Sequence, residues 1–312
     1  MTPSPPIPAT LDVGWSNQPP LVVLSFNRPQ YLEAVLDSLS KQVPQVDPRR
    51  IHLFQDGAVN AYSGIRYADE EEVRKCLTIF RDIFPQGATH VATANVGICE
   101  NFARAENFVF KALNAPFAYF FEDDLVLSQR YISTMDVLRR DFENKPRIAY
   151  FNACGRYKES VDVQEANKSA VVDMGHIWGF ALRQAHWKAM QPMMSQYLKL
   201  VVGRDYRQRP NAEIRDLFRE WKYDKEATSQ DSAKDIVTNA LNCWRASTYV
   251  CLARYIGELG THSTPEHFAE LRFADTQIFD GELPASFAVN DGQVDAAVAA
   301  KRESWQVLPD SQ

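Results

Sequence analysis

Hydrophobic and polar positions follow two alternating periods along the first 140 residues. "LVVLSF" at 21–26 is a short continuous apolar run, which suits a strand buried on both faces. Leu32, Val35, Leu36, Leu39 and Val43 then recur at i, i+3, i+4, i+7 and i+11, one face of a helix. "IHLFQ" at 51–55 reads as the next strand, closed by Asp56-Gly57. The spacing predicts a helix over 69–84 and a strand near 90–94, and Phe102, Ala105, Val109 and Leu113 form another helical stripe. "FAYFFE" at 117–122 is the most hydrophobic strand, and Tyr131, Met135, Leu138 and Phe142 mark the helix after it. Strand and helix in regular alternation predict an α/β fold, a mostly parallel sheet flanked by helices.

The second half is less regular. Strands are expected at 148–152, 170–174 and 248–253, and helices at 183–196, 211–221 and 232–244. Ile214, Leu217, Phe218 and Trp221 form a clear stripe, while residues 203–226 mix both charge signs and read as a solvated helix and loop. Prolines crowd residues 1–17, which predicts an extended tail. Periodicity fades again from 284, which predicts a C-terminal tail or wrapping arm over 284–312. One domain is therefore expected over 18–283, with a first half at 18–127 and a second at 128–283.

Composition narrows the class. The 312 residues are 45% hydrophobic, enough for a substantial core. A formal charge of −6 argues against nucleic acid or anionic membrane as a bulk partner. No run of about 18 apolar residues is present, so no transmembrane segment is expected. The first ten residues lack the basic start and apolar core of a signal peptide. The five cysteines are scattered and odd in number, which predicts reduced thiols in a cytoplasmic protein.

The candidate chemistry lies at the ends of the strands. In open α/β sheets ligands bind at the carboxyl edge. The first strand runs into Asn27-Arg28, the second into Asp56, and the fourth into Glu122-Asp123-Asp124. Three adjacent carboxylates on an apolar strand repel one another unless a cation or donors compensate them. A hard divalent cation, Mn²⁺ or Mg²⁺, prefers such oxygen ligands and takes one or two carboxylates plus substrate phosphates. The triplet therefore reads as a metal and diphosphate station; a surface turn whose Asp caps the next helix is the plain alternative.

In order and spacing, "VVLSFNRP", "LFQDG", "EDDLVLSQRYI" and "GHIWGFALRQAHW" together resemble glycosyltransferases of the GT-A fold with a DXD-type site. Within that class they are most similar to the N-acetylglucosaminyltransferase I group, and more loosely to family 2. The resemblance spans roughly 20–267. It implies a metal-dependent, inverting transfer of a sugar from a UDP-sugar to a hydroxyl of a glycan or other acceptor. Asp124 would ligate the metal, Asp123 would face the ribose or sugar, and Glu122 would support the strand end or the sugar. Arg28 would lie near the diphosphate, and Asp56 would accept from N3–H of uracil. Arg104 would touch the nucleotide or be a plain surface arginine. Trp178 would stack on a sugar or fill the core, and His262 would complete the metal shell, bind diphosphate or be structural.

The resemblance also places a general base at the start of a late helix. There "ATSQDSAKDIVTNAL" departs from the pattern, with Gln230 in place of a tryptophan. Asp231 is the candidate base, with a helix cap as its other reading and Asp235 as a weaker substitute. A noncatalytic nucleotide- or sugar-binding module stays open, as does a retaining mechanism. A sugar nucleotidyltransferase fits less well, because the loop "SFNRPQ" lacks glycine.

Overall fold

The structure, a computed structural model, describes residues 18–260 and 263–305. The first half runs β1 (Leu21–Ser25), α1 (Pro29–Ser40), β2 (Ile51–Gln55), α2 (Glu70–Ile83), β3 (Ala88–Val91), α3 (Gly97–Asn107) and β4 (Phe117–Glu122). There follow β5 (Leu125–Leu127), α4 (Tyr131–Asp141), β6 (Ile148–Asn152), α5 (Val161–Ala166), β7 (Val171–Asp173), β8 (Phe180–Arg183) and α6 (Gln184–Val201). The remainder is α7 (Asn211–Glu220), α8 (Gln230–Ala240), β9 (Trp244–Thr248), β10 (Ala253–Tyr255), α9 (Pro265–Glu270) and α10 (Asp291–Ser304).

Eight strands form one sheet in the order β3-β2-β1-β4-β8-β6-β9-β7. All are parallel except β8 and β7, which run against their neighbours. Alternate residues of β1 and β4 enter two separate cores. Leu21, Val23, Tyr119 and Phe121 meet α1, α2, α4 and α10 on one face. Val22, Leu24, Ala118 and Phe120 meet α3, α6, α7 and α8 on the other. Burial on both faces explains why β1 and β4 read as unbroken apolar runs. The α/β expectation is met, with helices on both sides of a mostly parallel sheet.

Several expected elements shift. The strand expected at 248–253 is two pieces, β9 ending at Thr248 and β10 starting at Ala253, with the chain crossing between sheets. β10 pairs antiparallel with β5 in a separate ribbon. β8 had no alternating pattern to reveal it, because all four of its residues are buried. Among the described residues beyond 284 lies a helix where periodicity had faded: Asn290 and Gln293 form a reciprocal capping box for α10, and Val294 and Val298 enter the core. The five cysteines are free thiols.

A histidine pair on β2 and β3 makes stability depend on pH. His52 Nδ1 lies 3.3 Å from His90 Nε2, and both rings pack against Phe108. Burial, with His90 adding, pushes His52 from 6.5 down to about 3; burial, with Arg104 adding, pushes His90 to about 4. Both rings are neutral when folded, whereas the unfolded chain takes up protons near pH 6.5. Stability is therefore full above that value and falls as the pH drops towards 4, by about 1.4 kcal/mol per pH unit for fully buried His52. Asp124, raised to about 6, acts in the opposite sense over part of this range. Comparing urea unfolding of wild type and His52→Phe between pH 7 and 4.5 isolates the histidine. The variant should show the shallower loss; equal slopes would refute the assignment.

Candidate active site

Register brings the candidate residues to one edge. β1 and β4 are parallel with Leu24 opposite Glu122, and β1 and β2 are parallel with Ser25 opposite Gln55. The turns after these three strands thus lie side by side, and Arg28, Asp56 and the acidic triplet line one cavity of about 970 Å³. Immediately after Asp124, β5 pairs with β10, with Leu125 opposite Tyr255. Ile256 N–H also donates to the Asp124 carbonyl at 2.8 Å, which ties Tyr255 to the triplet.

Arg28 is the counter-ion of the triplet. Its Nη2 donates to Asp123 Oδ1 and, at 2.8 Å, to Asp124 Oδ2. Burial alone would lower the guanidinium; the charges of Asp123 and Asp124 outweigh it and hold Arg28 above the usual arginine range. Burial raises Asp124 to about 6 against the opposing pull of Arg28. Glu122 is pushed well above the carboxylate range by desolvation, then by the charges of Asp124, Asp231 and Asp123.

Asp56 has another task than the one expected. Its Oδ1 accepts from the Gly57 and Val96 N–H groups, and its Oδ2 from Asn95 Nδ2 and Gly97 N–H, all within 3.0 Å. Four donors use the acceptor capacity of a carboxylate. Asp56 therefore clamps the turn that starts α3 and has no lone pair left for uracil. Gly57 permits the close approach, since a Cβ there would meet the Ala94 carbonyl carbon at 2.4 Å.

Arg104 is also displaced from its expected place. It lies over the Phe54 ring, donates to Asn101 Oδ1 at 2.8 Å, and is absent from the cavity wall. Trp178 reaches the wall but offers no open face. His176 stacks on it at 4.1 Å and Tyr255 at 4.6 Å; these two rings do not touch each other, so they cover opposite faces. Only an edge of Trp178 remains for a sugar. Gly179 holds the loop with φ +51°, and a Cβ there would lie 2.6 Å from Leu125.

At the start of α8, Ser229 is the cap and accepts from Ser232 N–H at 3.2 Å; Asp231 sits in the first turn. Asp231 lies outside the cavity wall, yet close enough that its charge raises Glu122. Its neighbour Gln230 donates from its backbone to the Tyr206 hydroxyl, a wall residue, at 2.9 Å. Asp235 is corrected outright. Arg245 at 2.9 Å, Lys225 at 3.3 Å and Lys301 at 3.7 Å surround its carboxylate, so it anchors β9 and α10 and is not a spare base. His262 lies outside the described residues.

Other wall residues escaped the sequence reading. Tyr206, Arg207 and Arg209 come from the charge-mixed segment that reads as solvated. Asp205, beside them, accepts from Tyr67 at 2.6 Å and Ser63 at 2.7 Å, latching the second half onto the first. The dense Arg-Asp-Tyr-Arg run at 204–207 was the available signal.

No protein-family model and no curated protein matches the chain. Solved structures of similar layout include S. aureus TarS residues 1–349, 12% identical, covering 92% of this chain and 72% of that one, with a TM-score of 0.41. The galactosyltransferase LgtC in complex with donor and acceptor sugar analogues is 12% identical, covering 93% of this chain and 97% of that one, with a TM-score of 0.38. At this level of likeness the chemistry has to come from the chain's own residues.

Proposed function

We propose that the chain is a glycosyltransferase of the GT-A type, moving a sugar from a UDP-sugar to a hydroxyl of a glycan or other acceptor with inversion. The observation that carries this reading is the convergence of Arg28 with Glu122-Asp123-Asp124 on the wall of a large cavity at the carboxyl edge of the sheet. The donor set suits a hard cation, Mn²⁺ or Mg²⁺. Asp123 and Asp124 offer oxygen donors, and Arg28 offsets only one of their two charges. Among the described residues no group of three His, Cys, Asp or Glu is placed to hold an ion. Asp124, with Asp123 beside it, would hold the cation together with the donor's phosphates, the usual arrangement for such ions. When bound, the ion would neutralise charge that builds up on the departing diphosphate.

The chain supplies the rest. Arg28 pairs with diphosphate oxygens. Tyr255 and the edge of Trp178 form the wall next to the triplet, and Asp231 accepts the acceptor's proton as its oxygen attacks. One observation favours a second reading, a noncatalytic nucleotide-sugar-binding module: Asp231 stands outside the cavity wall. A single experiment separates the two. Purified protein with Mn²⁺ and a panel of nucleotide sugars should release UDP from one UDP-sugar, and EDTA should abolish that release. Donor binding without any release across a panel of hydroxyl acceptors would leave the binding module. Equal release in EDTA would remove the metal.

A further inference from the structure

Resting on the transferase reading, we propose that Arg28 is an internal counter-ion that holds the cation site of Asp123 and Asp124 shut until a nucleoside diphosphate arrives. The observation is that one nitrogen, Arg28 Nη2, bonds to both carboxylates at once. These are the two carboxylates that a divalent cation would draw on. Arg28 takes one oxygen of each carboxylate, and its charge repels a second cation there, because a half-buried site screens poorly. Metal alone must therefore bind against the Arg28 charge, or displace Arg28 and break two charge-assisted hydrogen bonds. Diphosphate alone meets a cluster of one positive and two negative charges, which repels it.

Together the two ligands resolve the conflict. The metal takes the carboxylates, and the phosphate oxygens give Arg28 a new anion that suits its planar fork. Binding of each ligand then strengthens the other by the same factor, as linkage requires. The rest of the site prepares Arg28 for this exchange. Its side chain is 24% exposed on the cavity side, lies 5.4 Å from the Tyr31 ring centre, and reaches the Leu259 carbonyl at 3.4 Å through Nη1. Tyr31 in turn accepts from Leu259 N–H at 3.2 Å. The guanidinium is therefore held by Tyr31 and the Leu259 carbonyl on the cavity wall at the same time as it bonds the two carboxylates.

Calorimetry with Mn²⁺ alone, UDP alone and the two together tests this on wild type, Arg28→Ala and Arg28→Gln, with melting curves in EDTA to show that both variants are folded. In wild type, UDP should tighten Mn²⁺ binding by about tenfold or more, in the usual range of site-to-site coupling. Both variants should bind Mn²⁺ alone about tenfold more tightly than wild type, and UDP should add little further. Arg28 acting only as a diphosphate ligand would give weaker UDP binding with no gain for Mn²⁺, and that result would overturn the proposal. Absence of nucleoside-diphosphate binding in every arm would overturn the transferase reading and the coupling with it. The Mn²⁺-only comparison would still decide whether Arg28 shuts the site.

Discussion

Turnover by Asp231→Asn is expected to fall by ~10²–10⁴-fold while donor binding persists, the usual loss when a general base is removed. An acceptor hydroxyl has a pKa far above 7, so its proton must leave as the new bond forms. Asp231 would be held for that task in the first turn of α8, whose cap is Ser229. The cap assignment matters, because it removes the main competing explanation of Asp231. Asparagine at this first-turn position loses only a favourable charge at the helix N-terminus, about 0.3–1 kcal/mol. A large kinetic loss with a nearly unchanged melting temperature therefore points to chemistry. The contrast with Asp235 sharpens the test: that carboxylate is enclosed by Arg245, Lys225 and Lys301 and cannot take over. If Asp231→Asn keeps near-normal turnover with saturating donor, α8 supplies no base and inversion assisted from this helix is wrong.

Convergence of Arg28, Asp56 and the acidic triplet was legible in advance for a simple reason. Each lies one to three residues beyond, or at, the end of a strand buried on both faces, and parallel strands carry such ends to one edge. What each side chain does there was not legible. Asp56 has its oxygens filled by donors at 95–97, some forty residues away, which no local spacing announces. Trp178 is covered by Tyr255, seventy-seven residues later, through a β5–β10 pairing that joins two three-residue strands. Arg207 and Arg209 sat in a segment of balanced charge, where solvation was the simpler reading. The α10 arm looked aperiodic because only two of its residues, Val294 and Val298, are buried.

The largest stability loss is expected from splitting the Lys234–Glu106 pair. Lys234 on α8 donates to Glu106 Oε1 on α3 at 2.5 Å, and the two side chains are only 4% and 7% exposed. The ammonium also lies 4.7 Å from the Phe102 ring centre, so an aromatic face covers one side of it. Removing one partner strands a buried charge, which typically costs about 3–5 kcal/mol. Replacing both by apolar or neutral residues of similar volume costs far less, because the desolvation of both charges is removed together with their attraction. Urea unfolding of Lys234→Met, Glu106→Gln and the double variant should therefore give two large single losses that do not add. A Lys234→Met variant that loses under about 1 kcal/mol would show that water reaches the pair and that burial does not set its energy. The pair also bears on catalysis through position. Lys234 is three residues beyond Asp231 on the same helix, one turn along, so it pins that turn of α8 against α3. Where the double variant regains stability, it should also regain turnover, whereas Asp231→Asn stays folded and slow. That difference separates the residue expected to move the proton from the residues that hold its helix in place.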